Sequence, residues 1–328
     1  MTQKENEIKS MDIPVLLTLH VRSAYLENQL KMLVEAGIRR VYISIDGPRH
    51  DQDKADQVQI YDLISSHKEH FSEIVIRQAQ MNLGIAVAMI SGIDWFFSKN
   101  EAGVIFEDDV NFSEGTIVFF KEALLAIKEK PDVYLASGVQ PFPNEVIDNQ
   151  IIFTNYPQIW GWATYAFKWE KLREYIFILQ KDSKLVEKRV KNFWKIGWER
   201  VSKGYLDTWD LPIATGMLFS GKLCMLPPVN LTSNVGVDSY SSNTITNAFP
   251  MKLAIRRAPL EIEFNIEPQK DSITKINRQF EKHIYFIGNR HLFTPIIRYL
   301  DPIRFMGKKK KPLVHRMLLA MYTTETIV

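Results

Sequence analysis

Short apolar runs alternate along the chain with segments whose apolar residues recur at helical spacing. The runs that predict strands lie at residues 15–19, 41–45, 73–78, 103–106, 133–136 and 223–226. The segments that predict helices lie at residues 25–36, 60–67, 84–97, 114–128 and 207–220. Strands that alternate with helices are typical of βαβ units, so the pattern predicts an α/β fold with a mostly parallel central sheet flanked by helices.

The periodic pattern becomes irregular near residue 248, which sets the expected domain organisation. We predict an α/β domain over residues 1–250 and a basic C-terminal extension, irregular or helical, over residues 251–328.

Two acidic motifs follow predicted strands directly. Asp46 ends one apolar run, and Glu107, Asp108 and Asp109 end another. Ligands of open α/β sheets bind at the carboxyl ends of the strands, so both motifs are expected at one ligand-binding edge. The adjacent carboxylates repel one another unless a positive charge offsets them, and Mg²⁺ or Mn²⁺ is a suitable ion. The alternative is a solvated acidic turn.

Other residues near this edge have both a functional and a structural interpretation. Arg22 could reach a phosphate or be a surface arginine. Asp46 could accept hydrogen bonds from a base or ribose, or only form a turn. Asn82 and Gly84 open a helix, where Asn82 is an N-cap or the helix N-terminus faces a ligand. Trp162 could pack on a sugar ring or belong to the core.

Two carboxylates near a predicted helix start are candidates for a general base. Asp207 and Asp210 flank Thr208-Trp209, and either could be a helix cap instead. A transferase needs a base for the acceptor hydroxyl, and a carboxylate is suitable.

Composition narrows the class of protein. Of 328 residues, 46% are hydrophobic, enough for a sizeable core. The formal net charge of +3 is too small to indicate a nucleic-acid partner, and none is expected. The single cysteine, Cys224, excludes an intramolecular disulfide and lies in an apolar run typical of a buried strand. With neither a signal-peptide pattern nor about 18 uninterrupted apolar residues, a cytoplasmic protein is expected.

The C-terminal tail interleaves basic and apolar residues. From Arg290 to Arg316 basic residues far outnumber acidic ones and include the run Lys308–Lys311. Such a segment favours peripheral contact with an anionic membrane, here at its inner face. The alternative is a tail that is solvated or packed on the main domain, and several prolines interrupt any long helix there.

Six motifs occur in an order that resembles a known family. They are Ile43-Ser44-Ile45-Asp46-Gly47-Pro48, Asn82-Leu83-Gly84, Val104-Ile105-Phe106-Glu107-Asp108-Asp109, Trp160-Gly161-Trp162-Ala163, Trp209-Asp210 and Asn230-Leu231-Thr232-Ser233-Asn234-Val235-Gly236. Over residues 13–240 the set resembles GT-A fold glycosyltransferases, and among them bacterial relatives of N-acetylglucosaminyltransferase I.

The resemblance implies a GT-A catalytic domain and roles for particular residues. Asp109 is expected to ligate Mn²⁺ (or Mg²⁺), and Glu107 and Asp108 to contact the sugar and ribose. Asp210 matches the general base best, and Asp207 is the second candidate. The implied activity is inverting transfer of a hexosyl or N-acetylhexosaminyl group, in polysaccharide biosynthesis, from a nucleotide-diphosphate sugar to a glycan or lipid-linked acceptor. A uridine diphosphate sugar is favoured.

Three other functions use similar folds. A dinucleotide-dependent oxidoreductase should have Gly-x-Gly-x-x-Gly after the first strand, where this chain has His20-Val21-Arg22-Ser23. A nucleotidyltransferase typically begins with a glycine-rich loop that is not found here. A non-catalytic sugar- or nucleotide-binding module would not need the base at residue 210.

Overall fold

The strands that the structure describes form one large sheet and one short ribbon. The computed structural model describes residues 11–142, 150–189, 192–235, 262, 264, 267–290 and 323–327. Within these ranges the strands are β1 (Val15–Leu19), β2 (Arg40–Ile45), β3 (Glu73–Ala79), β4 (Ala102–Glu107), β5 (Val110–Asn111), β6 (Val133–Ser137), β7 (Ile152–Thr154), β8 (Trp162–Tyr165), β9 (Leu223–Leu226), β10 (Ser233–Asn234) and β11 (Thr323–Ile327).

Helices connect most of these strands. In the same ranges they are α1 (Leu26–Glu35), α2 (Asp51–His67), α3 (Ile85–Phe97), α4 (Glu114–Lys128), α5 (Ala166–Lys181), α6 (Lys184–Arg189), α7 (Asn192–Ser202), α8 (Asp210–Ser220) and α9 (Lys270–Arg290).

The large sheet confirms the predicted α/β class. Among the described residues its nine strands have the order β11-β3-β2-β1-β4-β8-β6-β9-β7. Strands β3, β2, β1 and β4 pair in parallel, β6 and β9 run in the same direction, and β7, β8 and β11 run the opposite way. The sheet is therefore mostly parallel, with antiparallel strands inserted or at its edges.

Both faces of the sheet are buried under helices. Alternate residues of each strand point to opposite sides, so neighbouring residues belong to different apolar clusters. Leu17 of β1 belongs to an apolar cluster that includes α1, α2 and α4. Its neighbour Leu16 belongs to the cluster on the other face, which includes α3, α5 and α8. The continuous apolar runs seen in the sequence result from this burial on both sides.

Some elements differ from the predicted ones. Helix α2 begins at Asp51 rather than near residue 60. The sequence pattern missed its first half because that half is polar, and the only buried apolar residues of the helix are Ile60 and Ile64. The motif Trp160-Gly161-Trp162-Ala163 leads into the strand β8, for which no strand was predicted. With four residues, this strand is too short for an alternating pattern to be recognised. The predicted strand around Cys224 is confirmed, and its thiol is fully buried.

The C-terminal extension packs on the sheet wherever it is described. In α9, Asn277 accepts a hydrogen bond from the Thr154 hydroxyl at 2.8 Å, and Glu281 accepts one from Tyr156 at 3.0 Å. Strand β11 pairs antiparallel with β3. Of the predicted membrane-binding tail, residues 291–316 lie outside the described residues. None of the described helices is both long and apolar enough to cross a bilayer.

Lys168 in α5 is a buried cation that caps the end of α4. Its ammonium donates hydrogen bonds to the carbonyls of Ile127, Lys130 and Val133 at 2.6, 2.7 and 2.6 Å. Ile127 lies in the last turn of α4. Its carbonyl and that of Lys130 each also accept a backbone hydrogen bond at 3.2 Å, so the ammonium adds a second, charged donor to these groups. Burial lowers the pKa of Lys168 to about 8.

We predict that Lys168→Met lowers the free energy of unfolding by about 1–3 kcal/mol, because it removes three charge-assisted hydrogen bonds to backbone carbonyls. Urea unfolding followed by circular dichroism measures this change. The matched control is Lys171→Met on the same helix, where an exposed lysine pairs with Glu174. A similar loss of stability in both variants would contradict the capping role.

Candidate active site

The carboxyl ends of β1, β2 and β4 lie side by side and bring the predicted site residues to one edge of the sheet. The parallel register pairs Leu19 with Ile45 and Thr18 with Glu107. The Asp46 amide donates to the Leu19 carbonyl at 2.9 Å, which extends the ladder past the strand ends. Residues that follow these strands therefore share one surface, as the sequence predicted.

Asp46 is buried and holds together the loop that opens α3. Its Oδ1 accepts hydrogen bonds from the amides of Gly47 and Leu83, both at 2.8 Å. Its Oδ2 accepts from Asn82 Nδ2 at 2.8 Å and from the Gly84 amide at 3.2 Å. Burial raises the pKa of the Asp46 carboxyl, and the backbone donors offset part of that rise. That Asp46 accepts hydrogen bonds from a base or ribose stays a prediction. The structure adds that its carboxylate shapes this loop.

Two glycines allow this loop to lie close to the end of β2. A Cβ atom on Gly47 would lie 2.2 Å from the backbone carbon of Met81. Gly84 has φ of 77°, a conformation that side chains disfavour, and it directly precedes α3. The helix therefore begins beside the carboxyl edge of the sheet, and its N-cap is Gly84 rather than Asn82. That this helix N-terminus faces a ligand stays a prediction.

His20 belongs to this cluster, although the sequence analysis did not select it. Its Nε2 lies 3.2 Å from the Gly47 carbonyl and 3.5 Å from Asn82 Nδ2. Burial lowers the pKa of His20, and nearby Asp46 opposes that change. A histidine directly after an apolar strand is the sequence signal that would have identified it.

Arg22 neutralises the acidic turn that follows β4. Its Nη1 donates to Asp108 Oδ1 at 3.0 Å and to Asp109 Oδ2 at 2.9 Å. The three side chains are only 11%, 14% and 14% exposed, so water screens the pairs weakly. The positive charge that the carboxylates require is thus supplied by the protein itself in this structure.

Two amide side chains fix the geometry of the acidic turn. Gln29 in α1 donates from Nε2 to the carbonyls of Glu107 and Val110, both at 2.8 Å. Asn234 in β10 donates to Asp109 Oδ1 at 2.9 Å. The sequence marked Asn234 within a motif, whereas a buried glutamine in a helix leaves no recognisable signal.

Glu107 lies between the acidic turn and the start of α8. Trp209 Nε1 donates to Glu107 Oε2 at 3.3 Å. Burial, followed by the charges of Asp109, Asp108 and Asp210, raises the pKa of Glu107 well above its ordinary value. Since Asp210 contributes to this shift, its carboxylate belongs to the same electrostatic cluster.

The two candidate bases differ in exposure. Asp210 is the first residue of α8 and is exposed, with Oδ1 accepting hydrogen bonds from the Thr208 hydroxyl and, at 2.7 Å, from the Leu211 amide. Asp207 is half-buried in the preceding loop. An exposed carboxylate beside Glu107 fits a base that must meet an acceptor, so the geometry favours Asp210.

Trp162 lies behind this surface rather than on it. Its side chain is 1% exposed, and its ring centroid lies 6.3 Å from that of Trp209 and 6.0 Å from that of Trp169. In this arrangement it supports Trp209, and direct stacking on a sugar would require the ring to become exposed. Its predicted role in binding stays a prediction.

The acidic turn offers a partial site for a divalent cation. Among the described residues, no group of three or more His, Cys, Asp or Glu side chains is arranged to hold a metal ion alone. Mg²⁺ is usually bound by only one or two carboxylates together with substrate phosphates. Asp108 Oδ1 and Asp109 Oδ2 converge on one positively charged nitrogen, so these oxygens fit a shared cation.

A large cavity lies elsewhere in the molecule. It has a volume of about 790 Å³ and is lined by Val133 and Leu223, at the amino ends of β6 and β9, and by residues of α4 and α9. None of the predicted site residues lines this cavity. The chemistry-bearing residues lie at the opposite edge of the sheet.

Comparison of the chain with known proteins identified no family. No family model matches the chain, and no curated protein matches it.

We predict that Glu107→Gln stabilises the protein increasingly as pH rises. The raised pKa means that the folded state keeps the Glu107 proton more tightly than the unfolded state, so wild-type stability falls when this proton is lost. Glutamine mimics the protonated form and avoids that loss. Melting temperatures from about pH 4 to about pH 8, in chelator, should therefore diverge with increasing pH.

The control for this experiment is Glu101→Gln, which changes an exposed glutamate at the other end of β4. Its melting temperature should differ from that of the wild type by the same amount at every pH. A Glu107→Gln curve that stays parallel to the wild-type curve would contradict the shifted pKa.

Proposed function

We propose that this protein is a metal-dependent, inverting glycosyltransferase of the GT-A type that uses a nucleotide-diphosphate sugar, with a uridine diphosphate sugar favoured. The observation that supports this function best is the convergence of two carboxylates, from Asp108 and Asp109, on one cationic centre. This centre lies at the carboxyl edge of a mostly parallel sheet, in one electrostatic cluster with the exposed carboxylate of Asp210. The proposed acceptor is a glycan or a lipid-linked sugar.

In this proposal each part of the edge has a distinct task. Asp109 would hold Mn²⁺ or Mg²⁺. Asp108, which the resemblance assigns to the sugar or ribose, would instead be a second metal ligand, because its Oδ1 converges with Asp109 Oδ2. Arg22 would contact the phosphates. The metal would neutralise charge on the leaving diphosphate. The loop held by Asp46 would position the nucleotide with the exposed Asn82 side chain and the first amides of α3.

Asp210 would act as the general base. As the acceptor oxygen forms its bond to the anomeric carbon, the bond from that carbon to the diphosphate breaks, and Asp210 Oδ2 takes the hydroxyl proton. Its Oδ1 accepts from Thr208 and Leu211, which orients the carboxylate. A single displacement inverts the configuration at the anomeric carbon.

The direct test is a panel of nucleotide-diphosphate sugars incubated with the protein and Mn²⁺, with release of nucleoside diphosphate as the measurement. We expect metal-dependent release from one donor, and Asp109→Ala should abolish it without changing the circular dichroism spectrum. Release that continues at the wild-type rate in chelator would contradict the metal assignment. No release from any donor would favour a binding module.

We predict that Asp210→Asn lowers kcat by about 10²–10⁴-fold and leaves donor binding nearly unchanged. Asparagine keeps the Oδ1 acceptor for Thr208 and Leu211 but does not take up the acceptor proton. Steady-state kinetics with donor binding by calorimetry measures both quantities. The matched control is Asp207→Asn, and a larger loss of kcat in that variant would move the role of base to Asp207.

A further inference from the structure

Arg22 occupies the position in which a cation would meet the acidic turn. Its Nη1 atom lies 3.0 Å from Asp108 Oδ1 and 2.9 Å from Asp109 Oδ2. A divalent ion held by both oxygens would need to bind nearer to them than this nitrogen, at about 2.0–2.1 Å for Mg²⁺. The guanidinium and the metal therefore exclude one another.

Two amide side chains hold the acidic turn around these oxygens. Gln29 holds the backbone of the turn through two carbonyls, and Asn234 holds the other oxygen of Asp109. These donors are neutral amides, so they do not compete for the cation through charge. Arg22 is the group whose departure opens the two converging oxygens.

We propose that Arg22 and the divalent cation exchange at Asp108 and Asp109, and that this exchange couples metal binding to donor binding. Without ligands, Arg22 neutralises the carboxylates. When the cation replaces it, the released guanidinium pairs with the phosphate oxygens of the donor, which it suits through its planar set of donors. This inference rests on the proposed function, because it needs both a metal and a diphosphate.

The exchange makes the two ligands bind cooperatively. A cation that arrives alone must displace Arg22 into solvent, whereas a cation that arrives with a diphosphate gives Arg22 a new anionic partner. Diphosphate should therefore strengthen metal binding, and metal should strengthen diphosphate binding by the same factor. Removal of the arginine should strengthen binding of metal alone and weaken this coupling.

The experiment measures Mn²⁺ binding by calorimetry, with and without uridine diphosphate, for wild type and Arg22→Gln. We expect Arg22→Gln to bind Mn²⁺ alone about tenfold more tightly, because hydrogen bonds to charged groups no longer oppose the metal. The gain in Mn²⁺ affinity on adding uridine diphosphate should be smaller in this variant than in wild type.

Arg49→Gln is the matched control for net charge. It also removes a positive charge beside this sheet edge, but Arg49 pairs with Asp53 rather than with the acidic turn. Its Mn²⁺ affinity should stay within about twofold of wild type, since an exposed charge that does not contact the turn is screened by salt. Equal tightening in both variants would overturn the exchange.

A second measurement follows ligand binding in the wild-type protein, and a variant serves only to assign one signal. Mg²⁺ with uridine diphosphate should shift the NMR signal of the Arg22 Nε–H, which Arg22→Lys identifies by its absence. Metal binding that leaves this signal unmoved would overturn the exchange but not the metal site. If wild type binds neither Mn²⁺ nor Mg²⁺ even with uridine diphosphate, the metal dependence of the proposed function fails as well.

Discussion

Negative charge concentrated at the end of β4 is the constraint that organises this edge of the sheet. Glu107, Asp108 and Asp109 are consecutive, and their mutual repulsion must be offset for the turn to exist in a compact fold. The protein solves this in two ways. Arg22 pairs with both aspartates, while Glu107 turns toward Trp209 and takes a raised pKa.

The edge is thereby divided into two regions with different physical character. Around Asp46, both carboxylate oxygens are occupied by donors from the protein, and the glycines allow close backbone contact, so this region is rigid. Around Asp108 and Asp109, the Arg22 side chain pairs with both carboxylates. A rigid region suits the recognition of a fixed shape, and a region held by the two ion pairs of one arginine suits a ligand that brings its own charges.

The sequence predicted this arrangement as far as local pattern allows. Apolar runs identified β1, β2, β3 and β4, and the rule for parallel sheets placed Asp46 and the acidic turn at one edge. Which side chains pair with one another could not be predicted in this way, because Arg22 and Asp108 are 86 positions apart in the sequence. The burial of Trp162 and the clamp formed by Gln29 depend equally on packing between distant elements.

The pairing of β11 with β3 has a consequence for the order in which the fold is assembled. Strand β3 lies at residues 73–79, and its outer edge is covered in the described structure by five residues at 323–327. During synthesis from the N-terminus, β3 emerges long before this partner. An uncovered strand edge is a template for pairing with other chains, and contacts between distant residues form slowly. The edge strand β3 is therefore synthesised early but gains its partner β11 late. Between these two events its uncovered edge favours misassembly of the nascent chain.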